Sequence, residues 1–187
     1  IGNRVWEDLN GDGIQNDGPG GIANVTVNLL DCNGQNITQT LTDDQGVYEF
    51  RELPAGQYKL HFDFTTAAPE FAGAVATKKD VTSETLDSDI DSLFKETACI
   101  TLAAGQQIFD WDAGVYVPAQ IGNLAWVDKN RNNIFDSGDT PLAGVPVTLY
   151  LCSDVQSVMP LSTKTTGANG LYLFTGLAPG SYKIKFG

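Results

Sequence analysis

Hydrophobic and polar residues alternate over several short stretches of the chain. Val25, Val27 and Leu29 alternate with polar residues, and residues 58–62 repeat the pattern with Tyr, Leu and Phe. Because successive side chains of a strand point to opposite faces, this alternation predicts half-buried β-strands. Turn sequences that contain glycine (NGQ, DDQG, LPAG and AAGQ) separate the stretches at the spacing of an antiparallel sandwich. We therefore predict an all-β fold of antiparallel sandwiches, with about seven strands in the first.

The sequence also aligns with itself, which predicts a tandem repeat. Residues 1–32 match residues 121–152 without a gap, and residues 42–62 match residues 166–186 after a four-residue insertion. We expect one complete domain at 1–117, a short linker at 118–120 that Pro118 stiffens, and a partial second copy at 121–187. The stretch 65–85 lacks alternation and is predicted to be a long loop with one short helical turn.

The second copy stops before any counterpart of the segment CITLAAGQQIFDWDAGVY, which closes the first copy. That segment is predicted to form two strands joined by a turn. We therefore expect the second sandwich to be truncated, with an apolar face or a sheet edge exposed.

Charge is distributed unevenly along the chain. The net charge is -12, and residues 1–117 hold 19 Asp and Glu against 6 Lys and Arg. Such a surface repels nucleic-acid phosphates and anionic lipid and attracts divalent cations and basic partners. The apolar stretches are too short to cross a bilayer, so no membrane insertion is expected. The chain begins at Ile1 and contains Met159 as its single Met, so we expect targeting signals to lie elsewhere.

The first acidic bend, DLNGDGIQND at residues 8–17, has the spacing of a calcium loop. Calcium takes six to eight oxygen ligands, and a loop that curls around the ion presents alternate residues to it. Gly13 stands where such a loop turns sharply, and Pro19 replaces the usual closing carboxylate, so Asp17 is the candidate to close this loop. The candidate ligands of this first loop are Asp8, Asn10, Asp12, the Ile14 carbonyl and Asp17.

The second bend, which begins with DKNRNNIFDS at residues 128–137, keeps the same register. Asn133 stands at the sharp turn, where Asn tolerates the left-handed conformation better than most residues. The candidate ligands of this second loop (residues 128–139) are Asp128, Asn130, Asn132, the Ile134 carbonyl, Asp136 and Asp139. Each loop thus offers three carboxylates at different places, which favours a shared ion, Ca²⁺, over a solvated Asx-rich turn.

A further acidic cluster, DSDIDS at residues 87–92, alternates Asp87, Asp89 and Asp91. Other carboxylates in the first copy, Asp43 and Asp44 or Asp110 and Asp112, are possible additions to it. A second metal site and a hydrated loop are equally compatible with this pattern.

The three cysteines have distinct expected states. Cys32 ends one predicted strand and Cys99 begins another, so a disulfide between them is expected in an oxidising compartment. The alternative is a reduced and buried pair, since free Cys behaves as a small hydrophobic residue. Cys152 aligns with Cys32 and is expected to be free.

Three motifs carry a resemblance to a known family. IGNRVWEDLNGDGIQND, TDDQGVYEFRELPAGQYKLHF and LAAGQQIFDWDAGVY resemble the B repeats of serine-aspartate repeat surface adhesins, a branch of the CnaB-type, prealbumin-like sandwiches. The resemblance covers the first copy and the first two thirds of the second. It implies an extracellular or cell-surface bacterial protein in which tandem calcium-binding modules form a stalk. Related domains carry a Lys–Asn isopeptide bond, which is not expected here because the first strand holds Arg4 and no Lys.

The leading hypothesis is therefore a calcium-stabilised spacer whose partners are Ca²⁺ and neighbouring repeats of the same protein. The alternative is a binding module whose sandwich surface contacts a host or surface protein or a glycan, which exposed aromatic residues would favour. Trp6 and Tyr48 have counterparts in the second copy, however, and repeated aromatics are more readily explained as core. An enzyme is not expected, because no nucleophile with a base and an orienting group is legible.

Overall fold

The structure is a computed structural model that describes residues 1–18, 20–83 and 85–187. The chain divides into two compact units, Ile1–Pro118 (unit 1) and Ala119–Gly187 (unit 2). Each unit is built from β-strands, which confirms the predicted all-β class.

Unit 1 folds into two four-stranded sheets. Its strands, in the described residues, are β1 (Gly2–Glu7), β2 (Thr26–Asp31), β3 (Asn36–Leu41), β4 (Val47–Glu49), β5 (Gly56–Asp63), β6 (Val75–Ala76), β7 (Ile100–Leu102) and β8 (Ala113–Tyr116). One sheet has the order β4-β1-β8-β6 and the other β3-β2-β5-β7. Neighbours are antiparallel except β1 and β8, which are parallel.

The closing segment of unit 1 contains the two predicted strands. Its two strands, β7 and β8, belong to different sheets and do not pair with each other. The stretch 65–85 contains β6, which raises the strand count above the predicted seven, and the 3₁₀ turn Pro69–Gly73. A second 3₁₀ turn, Phe64–Thr66, precedes it.

One apolar core lies between the two sheets of unit 1. The alternating residues of β2 and β5 face it, and Val27, Leu60 and Phe62 are fully buried, as their alternation predicts. Trp6 and Tyr48 are buried as well, and Trp111 packs against the same core. These aromatic side chains therefore serve packing.

Unit 2 has smaller sheets. Its strands are β9 (Ala119–Leu124), β10 (Trp126–Val127), β11 (Thr140–Pro141), β12 (Pro146–Leu151), β13 (Ser162–Thr165), β14 (Leu171–Leu177) and β15 (Tyr182–Phe186). They form a three-stranded sheet, β13-β12-β15, and the two pairs β14-β9 and β10-β11. Val147, Leu149, Tyr172 and Phe174 make up its core.

The two units use the same strand registers. β1 pairs with β4 as β9 pairs with β14, and β2 pairs with β5 as β12 pairs with β15. Corresponding pairs are Asn3–Tyr48 with Asn123–Tyr172, and Val27–Phe62 with Val147–Phe186. Each strand pair therefore places equivalent side chains on the same face.

A glycine fixes the turn before β4 in unit 1 and the turn before β14 in unit 2. Gly46 has φ +76° and Gly170 has φ +75°, in the left-handed region. A Cβ on Gly46 would lie 2.2 Å from the carbonyl oxygen of Val5, and one on Gly170 would lie 2.4 Å from that of Ala125. The close approach of two backbone segments thus requires glycine at both places.

A disulfide joins Cys32, directly after β2, to Cys99, directly before β7, with their Cα atoms 5.8 Å apart. It links two strands of the same sheet that flank β5. Cys152, directly after β12, is a free and exposed thiol.

Candidate metal-binding loops and acidic cluster

The first loop begins where β1 ends, and its backbone wraps around one buried carboxylate. Asp8 accepts hydrogen bonds from the backbone N–H of Gly11 at 2.6 Å and of Gly13 at 2.8 Å. The hydroxyl of Thr77 also donates to this carboxylate. Gly13 adopts φ +86°, so the sharp turn expected at this position is present. Asp8 is inaccessible to solvent, which makes it the inner end of the loop.

The next three polar side chains of the first loop converge. Asn10 donates from its amide to the Asn16 side-chain oxygen at 3.1 Å, and Asn16 donates to Asp12 at 3.0 Å. The Asp12 carboxylate also accepts from the backbone N–H of Ile14 at 2.8 Å. Asn16 was not among the predicted ligands, although its spacing from Asp8 equals that of Asp136 from Asp128. The signal was available in the alignment of the two loops.

The second loop repeats this arrangement. Asp128 accepts from the backbone N–H of Asn132 at 3.2 Å and of Asn133 at 2.8 Å. Asp136 accepts from the amides of both Asn130, at 2.8 Å, and Asn132, at 2.9 Å. Asn133 takes φ +62° where Gly13 stands in the first loop, so Asn supplies the left-handed residue.

Two carboxylates from different sequence positions close the two loops in the same way. In the first loop Asp17 accepts from the backbone N–H of Leu9 at 3.0 Å. In the second, Asp139 accepts from the backbone N–H of Lys129, also at 3.0 Å. Leu9 and Lys129 are equivalent residues, each directly after the first Asp of its loop. Asp17 thus occupies the closing role that Asp139 has in the second loop, while Pro19 lies outside the described residues.

The two residues whose backbone carbonyls are candidate ligands, Ile14 and Ile134, have different surroundings. Ile14 forms an isolated antiparallel bridge with Asp87, and the N–H of Gln15 donates to the Leu86 carbonyl at 2.7 Å. Ile134 has a side chain that is 64% exposed. The first loop is therefore anchored to the start of the acidic cluster of residues 87–92, whereas the second loop is exposed to solvent at Ile134.

The pKa values of two carboxylates of the first loop, Asp12 and Asp17, are shifted in opposite directions. Burial raises the pKa of Asp12, but hydrogen bonds from Asn16, Ile14 and Asn10 outweigh this effect and hold the pKa below its usual value. Burial and the charges of Asp8 and Asp12 raise the pKa of Asp17, against a hydrogen bond from Leu9. The first loop thus concentrates negative charge, and Lys78 is a neighbouring cation whose charge also lowers the pKa of Asp12.

In the second loop, the pKa of Asp136 is lowered by hydrogen bonds, first from the backbone of Gly138 and then from the amides of Asn130 and Asn132. This carboxylate therefore stays ionised to a lower pH than an ordinary Asp does.

The acidic cluster of residues 87–92 brings together different carboxylates from the predicted Asp87, Asp89 and Asp91. Asp87 and Asp89 are nearly inaccessible to solvent. Asp91 instead accepts from the backbone N–H groups of its own turn, Leu93 at 3.0 Å and Phe94 at 2.6 Å. The carboxylate of Asp89 accepts from the backbone N–H of Asp112 at 2.6 Å. Asp112, weighed in the sequence as a possible addition, is therefore the residue that lies beside Asp89.

Asp112 has the most perturbed environment of the cluster. One of its oxygens accepts from the Asn3 amide at 2.7 Å, and the other, Oδ1, is buried without a hydrogen-bond partner. Burial, followed by the charge of Asp89, raises the pKa of Asp112 to about 8. Burial, followed by the charges of Asp112, Asp89 and Asp110, raises the pKa of the Tyr48 hydroxyl well above its usual value. An unpartnered buried carboxylate oxygen among other carboxylates fits a cation ligand.

The donor set of both loops is made of oxygen atoms, which suits a hard cation such as Ca²⁺. Among residues 1–18, 20–83 and 85–187, no three His, Cys, Asp or Glu side chains form a ready cluster for a metal ion. An ion in either loop would therefore depend on Asn side-chain oxygens and a backbone carbonyl as well as on carboxylates.

The described part of the chain contains no helix that is long and apolar enough to cross a membrane.

Residues 1–115 and 119–187 each match the family described as SdrD B-like domain. The chain is 37% identical over 187 residues to serine-aspartate repeat-containing protein F of Staphylococcus epidermidis, a match that covers 100% of this chain and 10% of that protein. It is 36% identical over 187 residues to serine-aspartate repeat-containing protein D of Staphylococcus aureus strain Newman, covering 100% of this chain and 13% of that protein. The chain therefore spans only a small part of these relatives.

Among solved structures, the chain is similar to the Bacillus anthracis TIE protein, with a TM-score of 0.40 and 16% identity over 100% of this chain and 28% of that one. It is also similar to a streptococcal ancillary pilin, with a TM-score of 0.39 and 15% identity over 100% of this chain and 53% of that one.

Proposed function

The chain belongs to the SdrD B-like domain family, and from that premise we propose that it is a calcium-stabilised spacer module of a bacterial cell-surface adhesin. The serine-aspartate repeat-containing relatives are about eight to ten times longer, since the chain covers 13% of protein D and 10% of protein F, which suits a module that is one part of a larger protein. In this proposal the two repeats, residues 1–117 and 121–187 with linker 118–120, neighbour further repeats of the same protein. The proposed role of these repeats is mechanical, and no enzymatic activity is proposed.

The observation that carries the proposal is the equivalence of the two loops. Both fold the backbone around a first Asp, and both gather side-chain oxygens at the alternate positions of a calcium loop. Asp17 and Asp139 perform the same closing contact from different positions, so the arrangement is kept although the sequences differ. A solvated Asx-rich turn has no need of such compensation.

Particular residues would hold the ion in each loop. The first would use Asp8, Asn10, Asp12, the Ile14 carbonyl, Asn16 and Asp17, and the second Asp128, Asn130, Asn132, the Ile134 carbonyl, Asp136 and Asp139. Ca²⁺ bound there supplies positive charge. Two carboxylates about 5 Å apart repel by roughly 3 kcal/mol at an effective dielectric constant near 20, and a bound dication removes that repulsion.

We also propose a further calcium site beside Asp89 and Asp112, which would need oxygen ligands other than carboxylates because no three carboxylates of the described residues form a ready cluster. The buried and unpartnered oxygen of Asp112 supports it. Asp91, which the sequence grouped with Asp87 and Asp89, is engaged by its own turn and belongs to this site only if that turn rearranges.

Thermal unfolding tests the proposal. The chain is melted in excess chelator, in Ca²⁺ and in Mg²⁺ as a matched divalent control. At a Ca²⁺ concentration of about one hundred times the dissociation constant, each site adds about 2.7 kcal/mol to the free energy of unfolding. An unchanged melting temperature on adding Ca²⁺ contradicts the proposal, as does a crystal grown in Ca²⁺ with no anomalous signal at either loop.

The alternative of a protein- or glycan-binding module has no comparable support in the described residues. Trp6 and Tyr48 are buried, and Trp111 packs against the core, so these rings do not form an exposed aromatic platform.

A further inference from the structure

Strand β3 forms a long edge of unit 1, which we call the β3 edge. Its sheet has the order β3-β2-β5-β7, so β3 pairs with β2 alone among the described strands. The other edge strands of unit 1 have two or three residues, whereas β3 has six, and none of the six is charged. Proteins usually keep edge strands short or place a charge or Pro on them, because an unpaired edge accepts other extended chains. β3 is neither short nor charged, and it contains no Pro.

The unpaired backbone groups of the β3 edge lie at alternate residues. The N–H of Thr42 donates to the Val25 carbonyl at 3.0 Å, which turns the backbone of Thr42 toward β2. Neighbouring residues of an antiparallel strand direct their backbone groups to opposite sides, so Gln39 and Leu41 direct theirs away from β2. The register shift between β2 and β3 lies at the start of β3, and residues 38–41 keep a regular register. The β3 edge therefore offers regularly spaced donors and acceptors.

Hydrogen-bonded turns hold β3 at both ends. Asp31 accepts hydrogen bonds from two backbone N–H groups of the turn before β3, at 2.9 and 2.8 Å. Asp43 accepts from two backbone N–H groups of the turn after β3, both at 2.9 Å. The Thr42 hydroxyl also donates to the Ile22 carbonyl at 2.6 Å. A strand that is already fixed at both ends loses little conformational freedom when another strand joins it.

The surroundings of the β3 edge are apolar and acidic. Ile37 and Leu41 are 52% and 53% exposed, and Val47 of the nearby β4 is exposed as well. The carboxylate of Asp44 is exposed and has no hydrogen-bond or ion-pair partner in the described part of the chain. Residues 1–117 hold 19 Asp and Glu against 6 Lys and Arg, so this unit attracts a cationic partner and repels a second copy of itself.

The equivalent edge of unit 2 has the opposite charge. The pair Val27–Thr40 of unit 1 corresponds to the pair Val147–Lys164 of unit 2, so Lys164 stands where β3 has Thr40. The two carboxylates that follow β3 are replaced by Gly167 and Ala168. A lysine on an edge strand discourages pairing with a further strand. The two repeats therefore differ at this edge in the property that decides whether a cationic strand is accepted.

We propose that the β3 edge binds an extended, cationic polypeptide segment as an additional strand. The segment pairs antiparallel with β3, and its backbone meets the outward N–H and C=O groups of Gln39 and Leu41. Its first residues then lie beside the end of β3, where a Lys or Arg pairs with Asp44. Apolar residues of the segment contact Ile37 and Leu41. Unlike an aromatic platform, such a site takes most of its affinity from backbone hydrogen bonds.

Fluorescence anisotropy of a labelled peptide tests the pairing on the full chain. The probe has two Lys residues followed by six residues in which Thr and Val alternate. We expect saturation at one peptide per chain, and binding at least about tenfold weaker when both Lys are replaced by Glu, equal to about 1.4 kcal/mol. Two further peptides carry backbone N-methyl groups on one or the other set of alternate residues. One of them blocks the edge that faces β3 and is expected not to bind, whereas the other is expected to bind as the probe does.

Variants of the chain locate the site. Thr40→Lys introduces the residue that unit 2 has at this position, and we expect it to weaken binding of the probe at least about tenfold. Thr101→Lys is the matched control, because it makes the same change in charge on β7, at the opposite edge of the same sheet. Asp44→Ala is expected to weaken binding at low salt and to have little effect near 1 M salt, where the Debye length is about 3 Å.

Equal affinities of the two N-methylated peptides overturn the proposal, because strand pairing uses one edge of the peptide. Equal affinities of Thr40→Lys and Thr101→Lys overturn it as well, and so does the absence of saturable binding. A chain that dimerises through β3 and excludes the probe assigns the edge to a second copy and also contradicts the proposal. These measurements record peptide binding and not calcium-dependent stability, so their failure is distinguishable from failure of the proposed function.

Discussion

The amide of Asn3 donates a hydrogen bond of 2.7 Å to Asp112, which lies 109 residues later in the chain. The contact joins β1 to the residue directly before β8, the neighbouring strand in the same sheet. Asp112 also lies beside Asp89, and one of its carboxylate oxygens is buried without a hydrogen-bond partner. Asp112 thus lies between β1 and Asp89 with a carboxyl group that burial keeps protonated at neutral pH.

This arrangement predicts that the metal-free protein loses stability as pH rises. Unfolded Asp112 ionises near pH 4, whereas its folded pKa is about 8. Between these values the folded state holds one more proton than the unfolded state. The contribution of protonated Asp112 to the free energy of unfolding is therefore present in full below about pH 4 and lost by about pH 8. The free energy of unfolding falls by at most about 1.4 kcal/mol per pH unit in this range.

Urea denaturation in chelator across this pH range checks the slope. Asp112→Asn keeps the shape of the side chain and an acceptor for Asn3, and it is expected to remove the slope. A pH dependence that is unchanged in this variant contradicts the assignment to Asp112.

Asp17→Asn is predicted to weaken calcium binding at the first loop while the loop keeps its fold. The Asn oxygen still accepts the N–H of Leu9, but the closing negative charge is lost. A tenfold loss of affinity removes about 1.4 kcal/mol of calcium-dependent stabilisation. Calorimetric titration with Ca²⁺ measures the change. Asp44→Asn, at an exposed turn, makes the same change in charge and should leave the affinity unaltered.

Gly46→Ala is predicted to destabilise unit 1 more than Gly34→Ala does. Both glycines have a positive φ, +76° and +86°, so both variants carry the strain of a left-handed residue, about 1–2 kcal/mol. Only at Gly46 does a Cβ meet backbone, 2.2 Å from the Val5 carbonyl oxygen, while Gly34 has open space around it. The additional loss at Gly46 is expected to be about 2 kcal/mol. Denaturation midpoints of the two variants give the difference directly, and equal midpoints would refute it.

Removal of the disulfide by Cys32→Ser together with Cys99→Ser is predicted to lower the free energy of unfolding of unit 1 by about 4 kcal/mol. The bond closes a loop with a sequence separation of 67, which limits the conformations of the unfolded chain. Cys152→Ser changes an exposed free thiol and should shift stability by less than about 0.5 kcal/mol. Urea denaturation of both variants decides, and a loss from Cys152→Ser as large as that of the double variant would contradict the prediction.

Local periodicity was sufficient to predict much of the fold. The alternation in β2 and β5 identified the residues that reach the core, because a strand with one buried face must place its apolar residues at every second position. The alignment of residues 1–32 with 121–152 also placed both loops at equivalent points, directly after β1 in unit 1 and directly after β10 in unit 2.

Contacts between distant segments could not be predicted in this way. Asp91 fits the alternating acidic pattern as well as Asp89 does, yet backbone N–H groups of its own turn engage it, and Asp112 reaches Asp89 from another part of the chain. The parallel pairing of β1 with β8 is equally remote in sequence. Asn16 was not predicted for a different reason: its side-chain oxygen lies at an alternate position of the loop but belongs to an amide, whereas the closing ligand was expected to be a carboxylate.

The parallel alignment of β1 and β8 has a mechanical consequence. Because the first and last strands of unit 1 run side by side in one direction, the chain arrives at one end of that sheet and departs from the other. Tension applied through the two ends slides these strands past each other. The pairs Val5–Ala113, Trp6–Gly114 and Glu7–Val115 then share the load at once instead of opening one after another, a geometry that resists shear.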